Sequence, residues 1–417
     1  MINFILEKSK NFIQRTDFFE PNLNQNILNI KYDNQGNYWT HLERKNIINN
    51  YILSNPPYRN IPNISQQEKL KRNLFQKNIK KDIFYQFKQT YKNIPTHINH
   101  FQVRKNLQKI NNYLIYTKEY GIEIFDNISK INQGLIYFDE NESNQIICFA
   151  IEKINNNFYL CIGKVDTTCI LYEINYNDFI QKRNYKNNSF IPKNKKILTL
   201  TDSYSDNYIN YIKFLPDNKL LRTGNDSFLK IYDLNQNNKI IYELLNDSPI
   251  NHCDINYNKN IIISVGDSIN VDLFDLKSKK NIIKLVEHYD YGIVCKFNPY
   301  NDNYFVSGNQ DSSCKIWDIR NLNCSVETLF GKYESIGDLI WMKNNKIAFI
   351  ENIFFGHVYD TKKKCIQDFE FFGLFNGIEY DEIKDIFYIA IQNDNNGDII
   401  CYEKIKGNKN SFYNILL

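Results

Sequence analysis

One motif recurs at a near-constant interval along this chain, and it constrains the fold more than any other feature. Short β-rich runs end in an aromatic residue followed by an acid, at Phe125-Asp126, Tyr172-Glu173, Tyr232-Asp233, Phe274-Asp275, Trp317-Asp318, Tyr359-Asp360 and Tyr402-Glu403. From Tyr232 onward the aromatics are separated by 42, 43, 42 and 43 residues; the two earlier intervals are 47 and 60. The longer intervals contain polar, turn-prone stretches, Lys130 to Gln145 and Asn184 to Lys196, which are expected to be inserted surface loops rather than missing repeats.

An interval of roughly 40 to 45 residues is that of a four-stranded propeller blade. Within each unit an apolar-alternating strand, a turn with Asn, Asp or Gly, a second strand, a tight turn and the strand bearing the aromatic follow one another. In the fifth unit the strands are expected near Gly292 to Phe297, Tyr304 to Ser307, Cys314 to Asp318 and Ser325 to Leu329. A single such sheet exposes apolar faces and open edges, so it becomes stable only by stacking on neighbours around an axis. The expected fold class is therefore all-β, a seven-bladed propeller over residues 91–417, preceded by a partly helical, basic N-terminal extension over residues 1–90.

Two capping boxes mark helices in that extension, because a Ser or Thr and an acid three residues later satisfy the first-turn amides reciprocally. Thr40 with Glu43 opens one, and Ser65 with Glu68 opens the other, which should run to about Asn78 with Leu70, Leu74 and the stem of Lys77 facing the propeller. Asn55-Pro56-Pro57 separates them. Ile83 to Phe87 and His100 to Val103 read as strands leading to the first blade. A propeller needs a device joining first and last blades, and two segments compete for that outer position: an upstream strand and the C-terminal Ser411 to Leu417. Between Arg44 and Lys105 there are 13 Lys and Arg against only Glu68 and Asp82. Such clustered charge attracts acidic partners over about a Debye length, and with Tyr58, Phe84 and Tyr85 available to stack on bases it makes RNA or ribonucleoprotein binding an alternative function.

Particular strings narrow the fold further. DNQGNYWTHLER around Trp39, INHFQVRKNL around Phe101, EHYDYGIVCKFNP around Tyr291, SGNQDSSCKIWDIRNL around Trp317 and the Phe371 to Gly373 FFG resemble a plant, fungal and protist family of WD40-repeat, transducin-like proteins. The resemblance implies a WD40 propeller that acts as a non-enzymatic, protein-binding scaffold in cytoplasm or nucleus. It also implies that His288, Ser307, Asp311 and Trp317 form the structural hydrogen-bond tetrad of the fifth blade, and that Tyr289, Tyr291 and Gln310 are partner contacts. Two departures stand out: Glu287-His288 replaces the usual Gly-His, and most blades lack the Trp-Asp pair. Trp317-Asp318-Ile319-Arg320 is similar to the WDxR element of propellers that serve as substrate receptors of cullin-RING ubiquitin ligases, with Arg320 the contact, which gives a second alternative function.

The composition, 42% hydrophobic and 15% aromatic, is that of a folded chain. Nine cysteines without a CxxC pair suit a reducing compartment. The start MINFILEKSK is broken by Glu7, and no apolar run approaches the roughly 20 residues of a spanning helix, so no membrane association is expected. No G-x-G-x-x-G, Walker loop, G-x-S-x-G or H-E-x-x-H occurs, and catalytic residues, cofactors and a small-molecule substrate are not expected. His97-x-x-His100 lacks further zinc ligands. Gln392 to Glu403 resembles a calcium loop in spacing, but its first residue is not an acid and its flanks read as strands, so a tight turn is expected and no metal.

Overall fold

The computed structural model describes residues 65–94, 107–110, 113–118, 121–126, 131–137, 146–154, 157–164, 168–175, 195–201, 208–236, 239–393 and 396–405. These form a closed ring of seven antiparallel blades with one helix, α1 (Gln66–Asn78), on the rim. From the axis outward, blade one comprises Leu107–Ile110, Tyr113–Lys118, Gly121–Asp126 and Ile131–Tyr137. Blade two comprises Ile146–Ile154, Asn157–Lys164, Thr168–Asn175 and Lys195–Thr201; blade three Ile209–Leu215, Lys219–Gly224, Phe228–Asp233 and Lys239–Leu245. Blade four is Ile250–Asn256, Ile261–Gly266, Val271–Asp275 and Asn281–Leu285, and blade five Gly292–Phe297, Tyr304–Asn309, Ser313–Asp318 and Glu327–Phe330.

Blades six and seven depart from this pattern. Blade six begins with Ile336–Met342, Lys346–Glu351 and Ile353–Asp360, but its outer strand runs on without a turn to become the inner strand of blade seven, as the 17-residue Cys365–Asp381. Blade seven continues with Ile386–Asn393 and Asn396–Lys404, and its outer strand is the upstream Tyr85–Ile94. The ring is thus closed by a segment that precedes blade one. The boundary drawn after residue 90 falls inside that strand. His100 to Val103 and Ser411 to Leu417, the other two candidate strands, lie outside the described residues, as do Thr40, Glu43, Trp39 and the His97 and His100 pair.

All seven recurrent aromatics lie on the third strand of their blades. Each faces a second-strand partner, apolar in every blade: Leu220 opposite Tyr232, Ile262 opposite Phe274, Phe305 opposite Trp317, Ile347 opposite Tyr359. The 42-residue period therefore reports register, because residues at one register position in successive blades meet the same environment. Stacking then buries the faces. One apolar cluster fills each seam, for example Ile263, Val265, Phe297, Phe305 and Trp317 between blades four and five, and Leu107, Tyr116, Tyr388 and Cys401 between blades one and seven. Full burial of each such side chain contributes about 1.5 to 3 kcal/mol.

Polar stitches repeat across the same seams. Lys213 Nζ lies 2.6 Å from Asp254 Oδ1, and the other oxygen of Asp254 accepts from the Phe297 amide at 2.8 Å. Two blades on, Lys296 Nζ lies 3.0 Å from Asp338, whose second oxygen accepts from the Ile378 amide at 3.3 Å. Turns are set by residues that tolerate the left-handed region: Asp217 and Asn218 at φ 61° and 55°, and Asn344 and Asn345 at 60° and 57°, give the paired positive φ of tight hairpin turns. At Gly266 close approach is the constraint, since a Cβ there would stand 1.8 Å from the Pro249 carbonyl oxygen.

Ser65 caps α1, its hydroxyl accepting from the Glu68 amide at 3.1 Å. The face turned to the propeller is not the leucine face. Leu70 and Leu74 are 59% and 47% exposed and Lys77 is exposed, whereas Glu68 and Arg72 are buried and Phe75 and Ile79 join the cluster between blades five and six. Specific partners for the buried charges outweigh the generic preference for leucine. After α1, Lys80–Lys81 pairs in parallel with Cys365–Ile366 on the edge of blade six. Gln367 then fixes the entry to the closing strand: its Oε1 accepts from the Phe84 and Tyr85 amides at 2.7 and 2.9 Å, and its Nε2 donates to the Tyr85 carbonyl at 2.7 Å.

Candidate functional site

In blade five the loop Glu287 to Tyr291 enters the first strand, and the turn Gln310 to Ser312 joins the second and third strands. Between them His288, Ser307, Asp311 and Trp317 form one chain of hydrogen bonds. The Trp317 indole N–H donates to Ser307 Oγ at 2.9 Å, Ser307 lies 2.8 Å from His288 Nε2, and His288 Nδ1 lies 3.2 Å from Asp311 Oδ2. Asp311 also accepts from the Tyr289 amide at 2.9 Å and from the Ser313 amide and hydroxyl at 2.9 and 2.6 Å. Burial alone would raise the Asp311 carboxyl, but His288, Arg72 and Ser313 hold it below the usual carboxylate range. His288 is 4% exposed and bonded through both ring nitrogens, so the chain of bonds holds the loop to the blade in a buried place.

The chain is extended by a residue that sequence reasoning missed. Arg72 of α1 is fully buried and donates through Nη1 to the Asp311 carbonyl, with Nη2 3.9 Å from Asp311 Oδ2 and Nε 3.2 Å from Glu68. Its guanidinium carbon lies 5.0 Å from the Phe330 ring centroid and 5.9 Å from that of Tyr289. Phe75 meets Phe330 edge-on at 5.3 Å, and Gln76 donates to the Phe330 and Gly331 carbonyls at 2.7 and 3.0 Å. No local signal marks Arg72, since its partner lies 239 positions away.

Two other blades solve the same problem with other residues. In blade three Arg222 occupies the register of Ser307 and reaches Tyr232 Oη at 3.4 Å and Asp226 at 2.8 Å, replacing the serine and histidine together. In blade six the buried Glu351 accepts from three consecutive amides, Lys332, Tyr333 and Glu334, at 2.6, 2.8 and 2.6 Å, and from His357 Nε2 at 2.8 Å. His357 Nδ1 lies 2.8 Å from Asp368, which Lys81 and Lys332 approach at 2.7 and 3.4 Å.

The contact candidates fall in two places. Tyr289, 37% exposed, and the half-buried Tyr291 and Gln310 border the Asp311 turn, with the Gln310 amide donating to the Tyr291 carbonyl at 3.0 Å. Arg320 is at the opposite end of strand Ser313–Asp318, forked onto Asp318 at 2.9 and 2.6 Å and 3.2 Å from the Tyr304 hydroxyl. Phe84 and Tyr85 are 8% and 2% exposed, in the core between blades six and seven, so neither offers a face to a nucleic-acid base. A cavity of about 550 Å³ opens at the inner strands of blades one to three, beside Lys109, Glu152 and Lys213; Lys109 and Lys213 are already paired with Asp381 and Asp254. Ile386–Asn393 and Asn396–Lys404 are paired strands, so the calcium-like spacing there lies on a hairpin without flanking helices. No helix among the described residues is long and apolar enough to cross a membrane.

Comparison with known proteins matches residues 280–318 to the model of the WD domain, G-beta repeat. That span ends at Asp318 and holds three strands of blade five. A chain in the crystal structure of the mitotic checkpoint complex superposes with a TM-score of 0.61 at 12% identity, covering 79% of this chain and 95% of that one. The WD40 β-propeller domain of Doa1 superposes at 0.59 and 12% identity, covering 77% and 97% respectively. No curated protein matches the chain in sequence.

Proposed function

We propose that this chain, a seven-bladed β-propeller of the WD40 fold, is a non-enzymatic scaffold that binds protein partners at the blade-five rim through Tyr289, Tyr291 and Gln310. The observation that carries this reading is the contrast at that site: a polar centre whose groups are committed to one another, bordered by side chains that stay accessible. A centre buried to this degree is suited to positioning loops, and accessible tyrosines beside a rigid turn supply contact area at low entropic cost. Function on this scaffold lives in the site and not in the fold.

Protein is favoured over RNA by the burial of Phe84 and Tyr85, which leaves the described part of the basic segment without those two stacking platforms. The ligase-receptor reading requires Arg320 to exchange its fork on Asp318 for a partner's carboxylate. Affinity purification from cells should recover stable protein partners with the natural chain and lose them with the Tyr289→Ala, Tyr291→Ala, Gln310→Ala variant. Unchanged association in that variant would refute the proposed surface, and loss of a cullin-RING adaptor on Arg320→Ala alone would establish the alternative.

A further inference from the structure

We infer that the blade-five rim at Asp311 is a docking site for a helix that carries an arginine followed three residues later by an aromatic ring, and that α1 is its intramolecular occupant. The inference rests on the reading above, because Tyr289 borders the same pocket, and it names the chemistry of the partner.

The pocket is built for a guanidinium. Arg72 donates to a carbonyl, faces a carboxylate and lies against two aromatic rings at 5.0 and 5.9 Å, so three different surfaces engage one planar cation. An ammonium lacks the planar fork needed to meet carbonyl and ring together. Phe75 and Gln76, one turn on, set the orientation of the helix through Phe330 and Gly331.

The propeller does not need this cover. Phe330, opposite Ser313 at the end of the outer strand, is 2% exposed beneath α1. The same register in blade three holds Leu245, 64% exposed, and Val286, the residue just after the outer strand of blade four, is 61% exposed, while the preceding residues Leu244, Leu285 and Leu329 are buried in all three blades. Blades with this position open therefore fold as well as the blade with it closed. The bonds from Trp317 through Ser307 and His288 to Asp311 are likewise made by blade-five and loop residues alone. A 13-residue helix is marginal in water by itself, so α1 owes its order to the seat, and a partner helix with the same anchors competes for it by mass action.

The test uses the full-length chain and a labelled peptide of the sequence Ser65 to Ile79. A chain carrying Arg72→Ala and Phe75→Ala should bind this peptide at least tenfold more tightly than the natural chain does, and a peptide with Arg72→Lys should lose at least tenfold. Equal binding to both chains, no binding to the substituted chain while its far-ultraviolet dichroism stays unchanged, or indifference to Arg72→Lys overturns the inference. Hydrogen exchange on the natural chain gives a second reading: amides of Gln66–Asn78 should exchange at least a hundredfold faster than those of Ser313–Asp318, and equal rates would make α1 an integral part of the fold. Neither measurement involves a cellular partner, so failure here is separable from failure of the co-purification experiment.

Discussion

Arg222 in blade three and Ser307 in blade five hold the same register position, and each makes the hydrogen bond to the recurrent aromatic of its own blade, Tyr232 or Trp317. The serine needs His288 to carry the chain on to Asp311, whereas the longer arginine reaches Asp226 directly.

Arg222→Ala therefore removes two members at once and leaves the Asp226 carboxylate, 5% exposed, without its guanidinium. Breaking a buried pair in this way costs about 3 to 5 kcal/mol. Equilibrium unfolding in urea should show that loss; a change below about 1 kcal/mol would mean the pair behaves as a surface salt bridge.

At Trp317 packing and hydrogen bonding separate by choice of substitution. Trp317→Phe keeps a ring against Phe305, with which the indole stacks at 6.0 Å, but deprives the buried Ser307 hydroxyl of its donor, at about 1 to 3 kcal/mol. Trp317→Ala also opens a cavity and should cost about 3 to 5 kcal/mol. Equal destabilisation by the two would show that the indole hydrogen bond carries the whole effect.

The blade-six network gives stability a pH dependence. Burial would lower the His357 pKa, but the hydrogen bonds and charges of Asp368 and Glu351 raise it above the ordinary 6.5. Its contribution is complete below about 6.5 and is lost as pH rises through the folded value. Asp368, held low by His357, Lys332 and Lys81 against the effect of burial, contributes above about 3.8 and loses that contribution as pH falls. The melting temperature should peak between these limits and fall as pH rises above about 6.5, and His357→Gln should flatten the alkaline limb. An unchanged alkaline limb in that variant would exclude His357 as its source.

Gln367 holds the chain where it enters the closing strand. Gln367→Ala strands the Phe84 and Tyr85 amides in a buried place, costing about 1 to 3 kcal/mol, and the effect should concentrate at residues 85–94 in hydrogen exchange. Protection lost evenly around the ring would instead mark Gln367 as an ordinary core residue.

Much of this architecture could be read from the chain because Tyr232, Phe274, Trp317 and Tyr359 recur at one register, and a repeated environment leaves a repeated residue class. The sequence leaves three segments able to close the ring, Ile83 to Phe87, His100 to Val103 and Ser411 to Leu417, because closure depends on an edge formed far away at Asn396–Lys404. The helix at Gln66–Asn78 was legible through Ser65 and Glu68, but its buried face was not, since Arg72 is drawn inward by Asp311 and no helical periodicity encodes that contact. Arg222 is hidden for a different reason: the tetrad pattern consists of a serine and a histidine, and a side chain of different type fills both places. Aligning Arg222-Thr223-Gly224-Asn225-Asp226 with Ser307-Gly308-Asn309-Gln310-Asp311 on Tyr232 and Trp317 exposes it.

Strand Tyr85–Ile94 is synthesised before any blade, yet its neighbour Asn396–Lys404 emerges only after the other six blades. On the ribosome the growing protein must carry an unmated edge through the production of six blades, and circular closure has to wait for the seventh. Until then the nascent chain displays two adhesive borders, which makes its maturation, more than its finished form, the stage most exposed to aggregation and most dependent on chaperones.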